Sequence, residues 1–167
     1  MSSLVMTTLA VAAIVASALM RPASILLFNP SASAPRGWYL LVPAHGLAAG
    51  DYVVADLPPE IRTLAAARGY LPSTVPLLKH VSATGGAYVC ARGDLLFVDH
   101  MAAASIRPHD GLGRSMHKWE GCRVLHPGEI LVLSPSSDAS FDSRYFGPLT
   151  IELVRGKAVP LWIRQTS

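Results

Sequence analysis

Apolar residues run in short blocks along most of the chain, each set off by glycine, proline or an acidic turn residue. Trp38 to Val42 reads as a strand. Gly50-Asp51 reads as a turn into a second strand, Tyr52 to Ala55. Pro58 to Arg68 opens on two prolines, carries alanines and is followed by Gly69, which predicts a short helix. Val75 to Val81, Ala87 to Cys90, Leu95 to Val98, Ile130 to Leu133, Leu149 to Val154 and Ala158 to Ile163 read as further strands. Gly93-Asp94 and Gly128-Glu129 introduce two of them. Short strands between turns of this kind predict a mainly β domain, closed as a barrel or sandwich. Asp99 to Glu120 is polar and without period, and is expected to be an irregular, mobile insertion.

The amino-terminal pattern differs. Leu4 to Met20 is uncharged and mostly apolar, and it ends at Arg21-Pro22. A second short apolar stretch follows, Ala23 to Phe28. The first run is close to the shortest helix that spans a bilayer, about 17 residues. It lacks the basic start of a signal peptide, but Ala16-Ser17-Ala18 has the small-x-small form of a cleavage site. The expected organisation is an apolar helix within residues 1–28, as membrane anchor or signal segment, and a folded domain from 29 to 167. An uncleaved anchor is the preferred reading and a removed signal peptide the alternative. Arg21 just after the run disfavours export of the carboxyl-terminal part, although long domains translocate despite such charges.

Composition narrows the classes. The chain is 51% hydrophobic and 15% charged, too apolar for a disordered tail. Its formal net charge of +3 is spread along the chain with no lysine–arginine block. Nucleic acid is therefore not an expected partner, whereas a weak attraction to anionic lipid head groups fits. Cys90 and Cys122 fit either one disulfide in an oxidising compartment or two buried thiols. The six histidines show no H-E-x-x-H or paired spacing, so no metal site is expected. Gly113 to His117 does not form a G-x-S-x-G elbow and reads as solvated loop.

Three segments could carry chemistry. Lys79 is one of only three lysines, and alternation puts it on one strand face with Val75, Leu77 and Val81. Desolvation there would lower its pKa and make a neutral amine available as general base, unless it snorkels to water at an edge. Asn29 to Gly37 holds Ser31 and Ser33 between prolines that favour extended backbone. A plain Ser/Ala/Pro linker reads the same way. In Ser140 to Pro148, Asp142 and Arg144 can pair and fix a loop, or can form an ordinary surface ion pair.

Taken in order, SASAPRGWY, GDYVVADLP, LLKHVSATGG, GCRVLHPGEILVL, SFDSRYFGPL and the terminal PLW resemble the signal peptidase I-like serine proteases over nearly the whole chain. The nearest likeness is to the branch that acts in conjugative transfer. That resemblance implies Ser33 as nucleophile, Lys79 as general base, Ser31 at the oxyanion hole and Ser140 as hydrogen-bond partner of the lysine. It implies that Asp142 and Arg144 support the site, and that no cofactor is needed. The implied substrate is a conjugative pilin precursor or other membrane-bound preprotein, and the implied place is the bacterial inner membrane with the domain in the periplasm. If the first segment is removed, the domain would be soluble there. Two departures stand out. General members have S-M-x-P, whereas Ser33-Ala34-Pro35 is one residue shorter. They also carry G-D-N where this chain has Ser134-Pro135-Ser136-Ser137-Asp138. Both fit the conjugative branch better than a general signal peptidase. A non-catalytic pilus-assembly component of the same fold is the alternative from another class.

Overall fold

A computed structural model of the chain describes residues 6–8, 11, 26–135 and 137–163. The apolar run Leu4 to Met20 falls largely outside these residues. No helix among those described is long and apolar enough to cross a membrane.

The domain is built from two antiparallel sheets. The larger contains β1 (Leu26–Asn29), β2 (Gly37–Val42), β3 (Tyr52–Ala55), β4 (Leu77–Thr84), β9 (Glu129–Leu133), β10 (Leu149–Thr150) and β11 (Val154–Ile163). Its strand order is β1-β2-β11-β3-β4-β9-β10. The smaller is β7 (Met101–Ser105), β6 (Leu95–Val98), β5 (Tyr88–Arg92) and β8 (Gly121–Val124), in that order. One helix, α1 (Pro59–Ala67), joins β3 to β4, and a single turn, α2 (Ser143–Phe146), follows β9. The mainly β expectation is met. β1 runs across residues 28 and 29, so the residues just before the expected domain start are part of the sheet.

The burial of each strand follows its place. β9 has core on both faces, and Ile130 to Leu133 are all buried, which is why they form a continuous apolar run rather than an alternating one. One core cluster packs Val53, Leu77, Val81 and Val132 against Ala65 of α1. A second joins the two sheets through Val89, Leu96, Leu131 and Tyr145. A third, with Ala34, Tyr39, Val54 and Leu78, covers the opposite face of the large sheet. Gly37 opens β2 at φ +150, where a side chain would run into the backbone of Trp162 on β11. The chain can make its sharp entry into β2 there only with glycine.

Three sequence expectations need correction. Asp99 to Glu120 is not wholly irregular, because Met101–Ser105 forms β7. Asp99 and His100 take positive φ of 47 and 68 between β6 and β7, the backbone of a two-residue hairpin turn. An alanine-rich strand has no period-2 signature, so only that turn could have revealed it. Val75 precedes β4 and is exposed, so the face around Lys79 starts at Leu77. At the carboxyl end, Leu149–Thr150 is followed by a 3-10 turn, Ile151–Leu153, and then by one ten-residue strand in place of two short segments. Two register shifts in β11, between Val154 and Gly156 and between Pro160 and Trp162, let it pair with β3 and β2 in succession.

Candidate active site

Lys79 sits in the middle of β4 and is buried, at 3% exposure. Its neighbours on the same face, Leu77 and Val81, are core residues. The alternation read from the sequence therefore places the amine inward, and it does not snorkel to solvent. Its Nζ donates to Ser134 Oγ at 2.8 Å and to Ser140 Oγ. Burial lowers its pKa to about 8; the Asp142 carboxylate opposes that displacement and the Arg144 guanidinium adds to it. About a tenth of the amine is then neutral at pH 7 and about half at pH 8, far more than in an exposed lysine.

Ser134 and Ser140 form a closed hydroxyl relay. Ser140 Oγ donates to Ser134 Oγ at 2.9 Å, and Ser134 Oγ donates to the Ser33 carbonyl at 2.7 Å. Each hydroxyl proton is thus committed, and both oxygens are left to accept from Lys79. A neutral amine has two N–H groups and one lone pair. With both N–H groups satisfied by the two serines, the lone pair is left for a third direction.

Ser33 and Ser31 lie on the loop between β1 and β2. Asn29, buried at the end of β1, organises that loop. Its Nδ2 donates to the carbonyls of Ser31, Ala34 and Pro35 at 3.1, 3.0 and 3.1 Å. Its Oδ1 accepts from the Ser31 backbone N–H at 3.1 Å and from Ser31 Oγ at 2.8 Å. Tyr39, fully buried, adds a hydrogen bond from its hydroxyl to the Pro35 carbonyl at 2.6 Å, and burial pushes its pKa up to about 12. The segment is a built loop and not a plain linker.

The proton positions on this loop follow by elimination. Asn29 Oδ1 can only accept, so Ser31 donates to it. The 2.8 Å contact between Ser31 Oγ and Ser33 Oγ is then donated by Ser33. Ser33 Oγ also lies 3.4 Å from the Leu78 carbonyl. Among the described residues no side-chain hydrogen bond joins Ser33 to Lys79. The link between them runs through Ser134 to the Ser33 main chain. Ser31, the residue expected at an oxyanion hole, has its own proton engaged by Asn29.

Asp142 and Arg144 are both fully buried, so the surface-pair reading is set aside. Arg144 Nε donates to Asp142 Oδ1 at 2.8 Å and Nη2 donates to Oδ2 at 2.7 Å. The guanidinium also reaches the Ser137 and Ser105 carbonyls at 2.7 and 3.2 Å. Asp142 Oδ2 accepts from the Ser134 backbone N–H at 3.0 Å. This paired charge ties the turn after β9, α2 and the end of β7 together directly behind the hydroxyl relay.

The loop serines, Lys79 and Ser140 line one cleft of about 710 Å³, walled by apolar side chains such as Leu27, Tyr70, Leu77, Met116 and Phe141. Its far wall comes from residues 107–116 of the insertion, pinned where Tyr70 Oη and Arg114 Nε donate to Asp110 at 2.5 and 2.6 Å. Cys90 and Cys122 stand opposite each other on β5 and β8 and are joined by a disulfide that brackets this insertion. No group of metal-binding side chains occurs among the described residues. Asn29 and Ser134 are the site residues that sequence reasoning missed. The signal for Asn29 was an amide at the end of an apolar stretch. For Ser134 there was none beyond its place at the end of β9.

Comparisons with known proteins bear on this arrangement. Residues 1–163 match the model of the family described as signal peptidase, peptidase S26. The conjugal transfer protein TraF of Agrobacterium fabrum strain C58 is 34% identical over 102 residues, 57% of each chain. The match therefore spans just over half of that relative. The probable conjugal transfer protein TraF of Sinorhizobium fredii strain NGR234 is 30% identical over 139 residues, 78% of this chain and 73% of that one. Among solved structures, a signal peptidase I from Enterococcus faecalis V583 aligns at 16% identity with a TM-score of 0.38, covering 68% of this chain and 97% of the other.

Proposed function

The chain belongs to the signal peptidase, peptidase S26 family, and from that premise we propose that it is a serine endopeptidase with Ser33 as nucleophile and Lys79 as general base. The observation that carries this reading is the buried Lys79 amine. Two hydroxyls satisfy its N–H groups, and its cleft also holds Ser33. In the reaction, the Ser33 hydroxyl turns from Ser31 toward the Lys79 lone pair and gives up its proton. Ser33 Oγ then attacks a peptide carbonyl. The Ser33 backbone N–H stabilises the oxyanion, joined by the Ser31 hydroxyl once it exchanges Asn29 for the substrate oxygen. Lys79 returns the proton to the leaving amine. The resulting acyl-serine is resolved by water or by a second amine.

The likeness to conjugal transfer proteins supports a pilin precursor, held at the inner membrane, as substrate. Contact with membrane lipid and a periplasmic position for the domain belong to the same proposal. An amine tethered in the acylated pilin competes with water through its effective concentration, so a circular product is open to this chemistry. Processing of a candidate pilin precursor, followed by intact mass, tests the reading. A product appears with wild type and not with Ser33→Ala. A circular product is lighter than its linear counterpart by one water, ~18 Da. Undiminished processing by Ser33→Ala would overturn the assignment.

A further inference from the structure

Ser134 stands at a junction between Lys79 and the loop that carries Ser33. Its hydroxyl accepts from Lys79 Nζ at 2.8 Å and donates to the Ser33 carbonyl at 2.7 Å. It also accepts from Ser140 Oγ, and its backbone N–H donates to Asp142. It is buried at 3% exposure, so solvent does not compete for these bonds. It immediately follows β9, and the buried Asp142–Arg144 pair holds its backbone. One residue therefore connects the amine and the nucleophile's own peptide through its hydroxyl, and a rigid charged support through its backbone N–H.

We propose that Ser134 is a positioning residue that couples the Lys79 amine to the nucleophile loop, setting both the direction of the amine's lone pair and the placement of Ser33. This rests on the assignment of Ser33 and Lys79 made above. The coupling matters because Ser33 makes no direct side-chain bond to Lys79, and its loop is otherwise held by Asn29, by the Tyr39 hydroxyl on the Pro35 carbonyl and by the 3.4 Å contact of Ser33 Oγ with the Leu78 carbonyl. Without the Ser134 hydroxyl, the Ser33 carbonyl loses its anchor to the lysine side of the cleft. Lys79 keeps only Ser140 and can rotate its lone pair away.

A second consequence concerns titration. The charged groups that face Lys79 are Asp142 and Arg144, and their effects oppose each other. His80, next on β4, turns to the other face and stacks edge-on with Tyr52. An acceptor on the ammonium favours its charged form, so removing the Ser134 oxygen lowers the Lys79 pKa further.

The test combines kinetics with a direct titration of the amine. The chain has only three lysines, Lys79, Lys118 and Lys157, so the ¹³Cε resonances of lysine-labelled protein can be assigned by substitution. Ser134→Ala should turn over roughly 10- to 100-fold more slowly at saturating substrate, with little change in KM, as expected when reacting groups are misplaced rather than removed. Its Lys79 titration and the ascending limb of its pH–rate profile should both shift to lower pH. Ser134→Cys, which keeps the shape but bonds weakly, gives the same pattern if the alanine variant folds poorly. Ser134→Thr, which keeps the hydroxyl, restores the titration and most of the turnover rate. An unmoved Lys79 titration in folded Ser134→Ala or Ser134→Cys would overturn the proposal, whatever the activity. Failure of the peptidase assignment shows separately, as activity that survives Ser33→Ala.

Discussion

Replacing Lys79 by methionine should abolish activity yet make the protein more stable at neutral pH. The displacement of the Lys79 pKa from 10.5 to about 8 corresponds to about 3 kcal/mol against folding at pH 7. Methionine has a similar reach and carries no charge to desolvate. The substitution forfeits the amine's bonds to Ser134 and Ser140, about 1 kcal/mol each. The balance is a gain of roughly 1 kcal/mol. The sign of its pH dependence follows from linkage. Between pH 8 and 10.5 the unfolded chain binds more protons at Lys79 than the folded one, so the stability contributed by this group in wild type rises with pH. Below pH 8 the penalty is fully present, and above 10.5 it is gone. Urea unfolding of both proteins, disulfide intact, at several pH values from 7 to 10.5 reads the difference. Lys79→Met should be the more stable at pH 7 and 8, and the difference should close and change sign toward pH 10.5. A Lys79→Met protein destabilised by more than about 2 kcal/mol at pH 7, or a difference independent of pH, would refute the account of a desolvated buried amine.

Three other outcomes are expected. Peptidase activity should rise with pH through a limb near 8, gaining about tenfold between pH 7 and 9 as Lys79 loses its proton, and a limb at the pKa of an ordinary histidine would point to another base. Asp142→Ala leaves the Arg144 guanidinium buried without its carboxylate, and should lower the free energy of unfolding by about 3–5 kcal/mol in urea titration. Replacing both Cys90 and Cys122 by alanine opens a bridge across a sequence separation of 32 and should cost about 3–4 kcal/mol by the same measurement, with non-reducing thiol titration of wild type finding no free thiols.

The parts of the site that could be read from sequence are those carried by local pattern. Lys79 stood out because a charged residue interrupts an apolar alternation, but that pattern left burial and snorkelling both open, and only the fold shows it buried beside Leu77 and Val81 with Val75 exposed. The helix after Pro58 was legible from its prolines, alanines and following glycine, and the structure differs by a residue at each end. The charge pair Asp142–Arg144 was visible, but its burial was not, because burial comes from β7 and the turn after β9 closing over it. Ser134 could not be read at all. It stands before Pro135 in a polar stretch that looks like loop, and its partner carbonyl lies 101 residues away. Asn29 reads in the sequence only as the start of a stiff, proline-flanked segment, yet its amide commits its hydrogen bonds to the loop of Ser31 and Ser33. Such long-range or loop-internal bonds leave no periodicity in the chain.

The central claim is that Ser33 becomes acylated during peptide cleavage. Its most direct test is mass spectrometry of protein quenched during turnover of a peptide with small residues before the scissile bond. The account predicts an adduct carrying the amino-terminal product, mapped to Ser33 after digestion, with none on Ser33→Ala or Lys79→Met. Turnover with no adduct on Ser33, sustained in Ser33→Ala, would contradict it.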